Sequence, residues 1–360
     1  MVEDQVQLLR DAGHNVRLIA RWTDQESRAA GYSVRSAIRV ATGRGSSPLD
    51  ELHEFEPDIV HVHNLFPNFG TSWIARWDGP VVVSLHNYRP FCSNGLFYRD
   101  GGICFECVER GDNAAIRHGC YRDSRIATVP VAIGRRVDRR NVLAAASTVV
   151  TTSEGANEVV APLLGPGITT TLIPNFGPGE AQAPLPASER SGWLAMGRFS
   201  PGKGFVELIE EWPEREHLTV IGDGELRESV LQAATLKGVE VEGSLSIQEL
   251  RTRIPAFRGL IFPSRWLEVA PQVVVEAMRA GLPVIAYEEN VVSSLVHSTG
   301  AGALYRDAAS LASCVALITD QLDEFSERAS EHYQANWTPS AWLTNMVGLY
   351  QRLLIRPGQL

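Results

Sequence analysis

Residues 176–191 divide the chain. Pro178, Pro184 and Pro186 stand there with Gly177 and Gly179, long apolar side chains are almost absent, and strand-like and helical periodicities alternate on both sides. Proline and glycine runs end regular elements, and strands separated by helical periodicity build parallel α/β sheets. At 360 residues the chain also exceeds what one hydrophobic core usually sustains. The pattern predicts an α/β protein of two doubly wound domains: residues 1–175, with a Cys-rich insert at about 88–125, then the linker 176–191, residues 192–338, and a closing helical segment 339–360.

On the N-terminal side the periodicity predicts a helix over residues 2–11, then strands over 16–20, 58–63, 80–85 and 147–152. Beyond the linker it predicts strands over 193–196, 218–221, 239–242, 260–262 and 283–287. The intervening helices fall at 205–211, 225–236, 247–254 and 271–280, with two more near 324–336 and 340–354. The chain opens inside a helix, with no strand before it.

Hydrophobic residues at 44% and charged residues at 21% fit a globular protein and exclude a disordered or fibrous one. A net charge of −9 argues against a general nucleic-acid binder. No apolar run approaches the ~18 residues of a membrane span, and Met1-Val2-Glu3-Asp4 lacks a secretory pattern. The expectation is a cytoplasmic protein.

Three segments carry candidate chemistry. The strand ending at Met196 runs into Gly197-Arg198-Phe199-Ser200-Pro201-Gly202-Lys203-Gly204. A glycine-bearing loop with two cations ahead of a helix suits a diphosphate, although an ordinary βα turn with solvated charges has the same look. Gly222-Asp223-Gly224 follows the next strand but is not a full GxGxxG, since Arg227 stands where a third glycine would fall. Residues 263–286 read as strand end, loop, helix and strand. Pro271 suits a first helical turn and leaves the N–H groups of Gln272 and Val273 open to an anion. Glu268 precedes that helix and Glu276 lies inside it, placed to accept hydrogen bonds from sugar and ribose hydroxyls; a structural network around Glu276 is the alternative.

In the first half, His61 and His63 alternate on a strand and His86 ends the next. Strand carboxyl ends border the crevice where α/β sheets bind ligands. No Asp-x-Asp pair occurs, which favours Arg and Lys over a metal as the neutralisers of a diphosphate. Cys92, Cys104, Cys107 and Cys120 cluster with one Cys-x2-Cys, a pattern that fits a structural four-thiolate zinc; reduced buried thiols or a disulfide are the alternatives. From Arg117 to Arg140, seven arginines interleave with Ile126, Val129, Val131, Ile133 and Val137. This run reads as a membrane-surface patch or, more commonly, a solvated helix face.

Taken in order, Gly197-Arg198 with Pro201-Gly202-Lys203-Gly204, Gly222-Asp223-Gly224, and Pro263-Ser264 with Glu268, Glu276 and Gly281-Leu282-Pro283-Val284 resemble the retaining GT-B glycosyltransferases of family 4. Pro57-Asp58-Ile59-Val60-His61-Val62-His63, Ser84-Leu85-His86-Asn87 and Ile173-Pro174-Asn175 extend the likeness into the first domain, and the Cys-bearing insert resembles a subgroup. The resemblance implies two Rossmann-like domains facing a cleft, the nucleotide sugar (UDP- or GDP-linked) on the C-terminal one and a glycan or lipid-linked acceptor on the other. It implies a last helix that crosses back to the first domain.

By matching position, Arg198 and Lys203 would hold the diphosphate, Glu276 the ribose and Glu268 the donor sugar, while His86 approaches from the opposite domain. Gly197, Gly222, Gly224, Gln272 and Val273 would border the nucleotide. No cofactor is implied for catalysis. Phe176 departs from the family, which usually has Gly there. The family also places a strand and a Gly-rich loop before the first helix, so the expectation is a sheet lacking its first strand, explained by a start upstream of Met1 or by impaired activity. Competing readings are a noncatalytic sugar-nucleotide-binding subunit and a nonhydrolysing sugar-nucleotide epimerase.

Overall fold

The computed structural model describes residues 1–22 and 34–355; the last five residues of the expected closing segment lie outside the described residues. The N-terminal sheet contains β1 (Val60–Val62) and β2 (Val81–Ser84). Within the Cys-rich insert, β3 (Tyr98–Arg99) and β4 (Gly102–Ile103) form a small antiparallel hairpin. The sheet is completed by β5 (Thr148–Thr151) and β6 (Thr170–Leu172), in the order β1-β2-β5-β6, all parallel. Val81–Ser84 and Thr148–Thr151 are buried throughout, as expected of strands covered on both faces.

The strand expected over 16–20 does not form. These residues pair with no strand among the described residues. β1 spends one edge on β2, and its other edge borders a cavity of about 810 Å³ that separates it from Val16–Ala20. Without a backbone neighbour at the 4.7–4.9 Å spacing of a ladder, extended residues make no ladder hydrogen bonds, and the Val16 carbonyl accepts from the Arg10 side chain instead. Helix Val2–Asp11, Trp342 and Tyr350 form other walls of this cavity.

The C-terminal sheet runs β12-β11-β10-β7-β8-β9, all parallel. Its strands are β7 (Trp193–Arg198), β8 (Leu218–Asp223), β9 (Glu240–Glu242), β10 (Leu260–Phe262), β11 (Val284–Tyr287) and β12 (Gly302–Tyr305). Alternation along β7 builds two cores. Leu194 and Met196 pack with Val274, Val275 and Met278 on one face, while Trp193 and Ala195 pack with Leu208, Val230 and Leu311 on the other. The short β6 and β12, and helices Val292–Thr299 and Ala308–Asp320, are additions to the sequence pattern.

The closing helix, Pro339–Leu354, lays Trp342, Met346 and Leu349 against Leu9, Val82, Val150 and Ile173 of the first half. Phe176 joins this cluster, its ring centroid 5.3 Å from that of Trp342. The two halves also meet directly. Thr152 and Ser153 hydroxyls donate to the Val269 carbonyl at 3.3 and 2.8 Å, and Ser294 and Ser298 donate to Glu158 and Glu154 at 2.8 and 2.9 Å.

The arginine run is only partly a surface. Arg135 is 1% exposed and pairs with Asp112, which also receives Arg136 at 2.5 Å and Arg139 at 3.4 Å. Burial pushes the Asp112 carboxyl up, but the hydrogen bond from Arg136 and the charges of Arg135 and Arg139 outweigh it and hold the group below the usual range. A buried carboxylate needs such partners, so Arg135 and Arg136 tie the insert to helix Arg125–Asp138 and Arg139 ties it to the turn that follows. The exposed face of that helix presents Ile126, Val129 and Ile133.

Candidate active site

The cation loop owes its path to two glycines of the neighbouring strand end. A side chain on Gly222 would collide with the Gly197 carbonyl, and one on Gly224 with the Phe199 carbonyl. The ends of β7 and β8 therefore approach at backbone distance. Phe199 N–H donates to the Asp223 carbonyl and Leu226 N–H to the Phe199 carbonyl, each at 2.9 Å. Gly222 and Gly224 thus shape the loop that carries Arg198 and Lys203.

Arg198 is exposed at the end of β7, with no ion pair among the described residues. Lys203 Nζ donates to Glu268 Oε1 at 2.6 Å and lies 5.0 Å from the centre of the Trp266 ring. Arg265 N–H donates to the Gly202 carbonyl at 2.7 Å. These bonds join the cation loop to the loop ahead of helix Gln272–Arg279. Pro271 is the N-cap of that helix, one position before the expected first turn, with ψ of 97°. Its carbonyl takes the N–H of Val274 at 3.0 Å, so Gln272 and Val273 keep N–H groups that the helix cannot use.

Glu276 is held by a partner that no local spacing announced. Arg251 Nη2 donates to its Oε1 at 2.9 Å and Arg251 Nε to its Oε2 at 3.2 Å. This fork fixes the carboxylate while leaving it further lone pairs for hydroxyl donors.

On the opposite domain, His86 Nε2 lies 2.8 Å from His63 Nδ1. His61 contacts Tyr350 and Ser84 hydroxyls at 2.6 and 2.8 Å. Burial lowers all three histidines. His61 falls to about 3 with help from His86, His63 to about 2 with help from His61 and His86, and His86 falls further through the charge of the N-terminal amine. The His86 ring is therefore neutral at pH 7 and offers a hydrogen bond rather than a charge.

The four cysteines expected as zinc ligands all lie within the insert as described. All four thiols are free of disulfides, and no group of three metal-ligating side chains among the described residues is placed to hold an ion. Cys92 Sγ instead donates to Asn94 Oδ1 at 2.9 Å. Burial first, then Cys107, Cys92 and Cys104, push the Cys120 thiol up to about 11. Sequence reasoning also missed Tyr98 and Trp266, whose contacts span the two domains.

Two facing Rossmann-like domains, with a cation loop and an open helix start on the second, define a GT-B architecture. Residues 1–175 match the Glycosyl transferase 4-like domain and residues 190–321 match Glycosyl transferases group 1. The chain belongs to the group 1 glycosyltransferases. It is 26% identical over 307 residues to glycogen synthase of Mycobacterium tuberculosis, spanning 81% of this chain and 67% of that protein. Sucrose-phosphate synthase from Thermosynechococcus elongatus shares the fold with a TM-score of 0.65 at 17% identity, over 98% of this chain and 92% of that one. Anabaena HepE in complex with UDP does so with 0.57 at 18% identity, over 84% and 80%. Among the described residues no helix is long and apolar enough to cross a membrane.

Proposed function

We propose that the chain moves a sugar from a UDP- or GDP-linked donor to a glycan or lipid-linked acceptor, with retention of anomeric configuration and without a catalytic metal. The observation that carries this reading is the junction of the cation loop with the loop preceding Gln272, through Lys203 to Glu268 and Arg265 to Gly202. Departure of a nucleoside diphosphate builds charge on the β-phosphate. Arg198 and the N–H groups of Gln272 and Val273 offset that charge from fixed positions, and Lys203 joins them by exchanging Glu268 for the phosphate.

Glu276, already oriented by Arg251, accepts from the ribose hydroxyls. Glu268 accepts from the donor sugar, and neutral His86 approaches that sugar from the other domain. The UDP bound by the structurally similar Anabaena protein and the absence of Asp-x-Asp in the sequence support this division of labour. Ile126, Val129 and Ile133, all exposed on one helix near Arg122, Arg125 and Arg136, support docking on an anionic membrane face where a lipid-linked acceptor resides.

The test is transfer of label from UDP- and GDP-sugars to oligosaccharide and polyprenyl-phosphate acceptors in EDTA. Transfer with α-configuration preserved is expected, falling about 100-fold or more in Lys203→Ala. Absence of transfer, or acceptor-independent conversion of the donor to its epimer, would overturn the reading.

A further inference from the structure

The hairpin of the Cys-rich insert ends on the cation loop of the other domain. Tyr98, on β3, lies against Gly202, and a methyl built on Gly202 would stand 2.7 Å from the tyrosine ring. Gly202 has φ +82°, and with no side chain it lets the ring rest on the backbone itself. The same ring meets Trp266 edge to face, centroids 6.4 Å apart.

Trp266 in turn carries Lys203 over its face at 5.0 Å. Its indole N–H is buried without a hydrogen-bond partner, so packing alone holds the ring that supports the lysine. The insert is anchored in its own domain on both sides of this contact. Phe97, next to Tyr98, is fully buried among Tyr88 and Phe105 of its own domain, and Asp112 fastens the insert to helix Arg125–Asp138. The ring of Tyr98 is thus a rigid stop supplied by the acceptor-side domain.

Resting on the nucleotide-sugar reading above, we propose that Tyr98 is a positioning residue for donor binding: through Gly202 and Trp266 it holds Lys203 in place for the diphosphate, so that the Cys-rich insert sets donor affinity from across the cleft. Tyr98 does not touch the donor in this scheme. Its effect passes through Lys203, and the ring rather than the hydroxyl carries it.

Calorimetric titration of UDP and GDP into the full chain tests this with a double-mutant cycle. Tyr98→Ala is expected to weaken nucleoside diphosphate binding about tenfold, and to add little once Lys203→Ala is present, because groups acting through one another are not additive. Tyr98→Phe restores wild-type affinity, and acceptor KM stays unchanged in all variants that retain the wild-type melting transition. Tyr98→Leu, which keeps an apolar side chain on β3 but removes the ring, reproduces the Tyr98→Ala loss.

Equal losses from Tyr98→Ala in the presence and absence of Lys203, or no loss at all, would overturn the positioning role while leaving the nucleotide-sugar reading intact. Failure of the wild-type chain to bind either diphosphate would overturn both. Should Tyr98→Ala melt early, the Tyr98→Leu cycle decides by the same criterion.

Discussion

Lys203 Nζ and Glu268 Oε1 are 2.6 Å apart, so the cation assigned to the diphosphate and the carboxylate assigned to the donor sugar are bound to each other. Both side chains are largely shielded, at 19% and 14% exposure, where a charge-assisted bond is about twice as strong as a neutral one. An incoming diphosphate competes with Glu268 for the lysine. Glu268→Gln is expected to tighten UDP binding about fivefold while transfer falls, a split that comparison of UDP affinity with turnover reads directly. Weaker UDP binding in this variant would mean that the pair assists the diphosphate instead of competing with it.

Arg251 grips both oxygens of Glu276 and thereby fixes the orientation of the group assigned to the ribose. Arg251→Ala should raise donor KM about tenfold and leave acceptor KM alone, with a smaller effect than Glu276→Ala. Steady-state kinetics with both substrates varied checks the order of the two variants.

Asp112 is 7% exposed at its side chain and serves three arginines. Asp112→Asn leaves buried Arg135 without its counter-charge, and breaking such a pair destabilises a fold by about 3–5 kcal/mol. Urea unfolding should register the loss in the first domain. Arg136→Ala, at an exposed guanidinium, should cost far less.

Three half-buried neutral histidines make the first domain acid-sensitive. His61 at about 3 and His63 at about 2 lie below the ordinary value of 6.5, as does His86. Below pH 6.5 the unfolded chain therefore takes up protons that the native state refuses. Stability is complete above that pH and falls as pH drops from 6.5 toward 3, by up to about 1.4 kcal/mol per pH unit from each of His61 and His63, with His86 acting in the same direction. Melting temperatures between pH 7.5 and 4.5 should trace this slope, and His63→Asn should flatten it.

Most of the second domain was legible in the sequence because its strands are short apolar runs bounded by turns, and its candidate site residues sit at βα junctions that local spacing marks. Chemistry that depends on long-range neighbours was not. Arg251 meets Glu276 from a different helix, and Tyr98 meets Gly202 from a different domain, so no local pattern joins them. The Cys-x2-Cys spacing draws attention to the thiols, but not to the bond that Cys92 Sγ donates to Asn94 Oδ1. Val16–Ala20 has the composition of a strand, but a ladder requires a partner, and the cavity beside β1 leaves none within reach.

Thermal unfolding of the full chain in EDTA with UDP-, GDP-, ADP- and TDP-sugars asks most plainly whether the second domain holds a nucleotide-sugar donor. One donor class at about 100 times its Kd should add about 2.7 kcal/mol to the folded state, and Lys203→Ala should abolish the shift. A cooperative transition that no donor moves would contradict a donor site at Arg198, Lys203 and the Gln272 helix start.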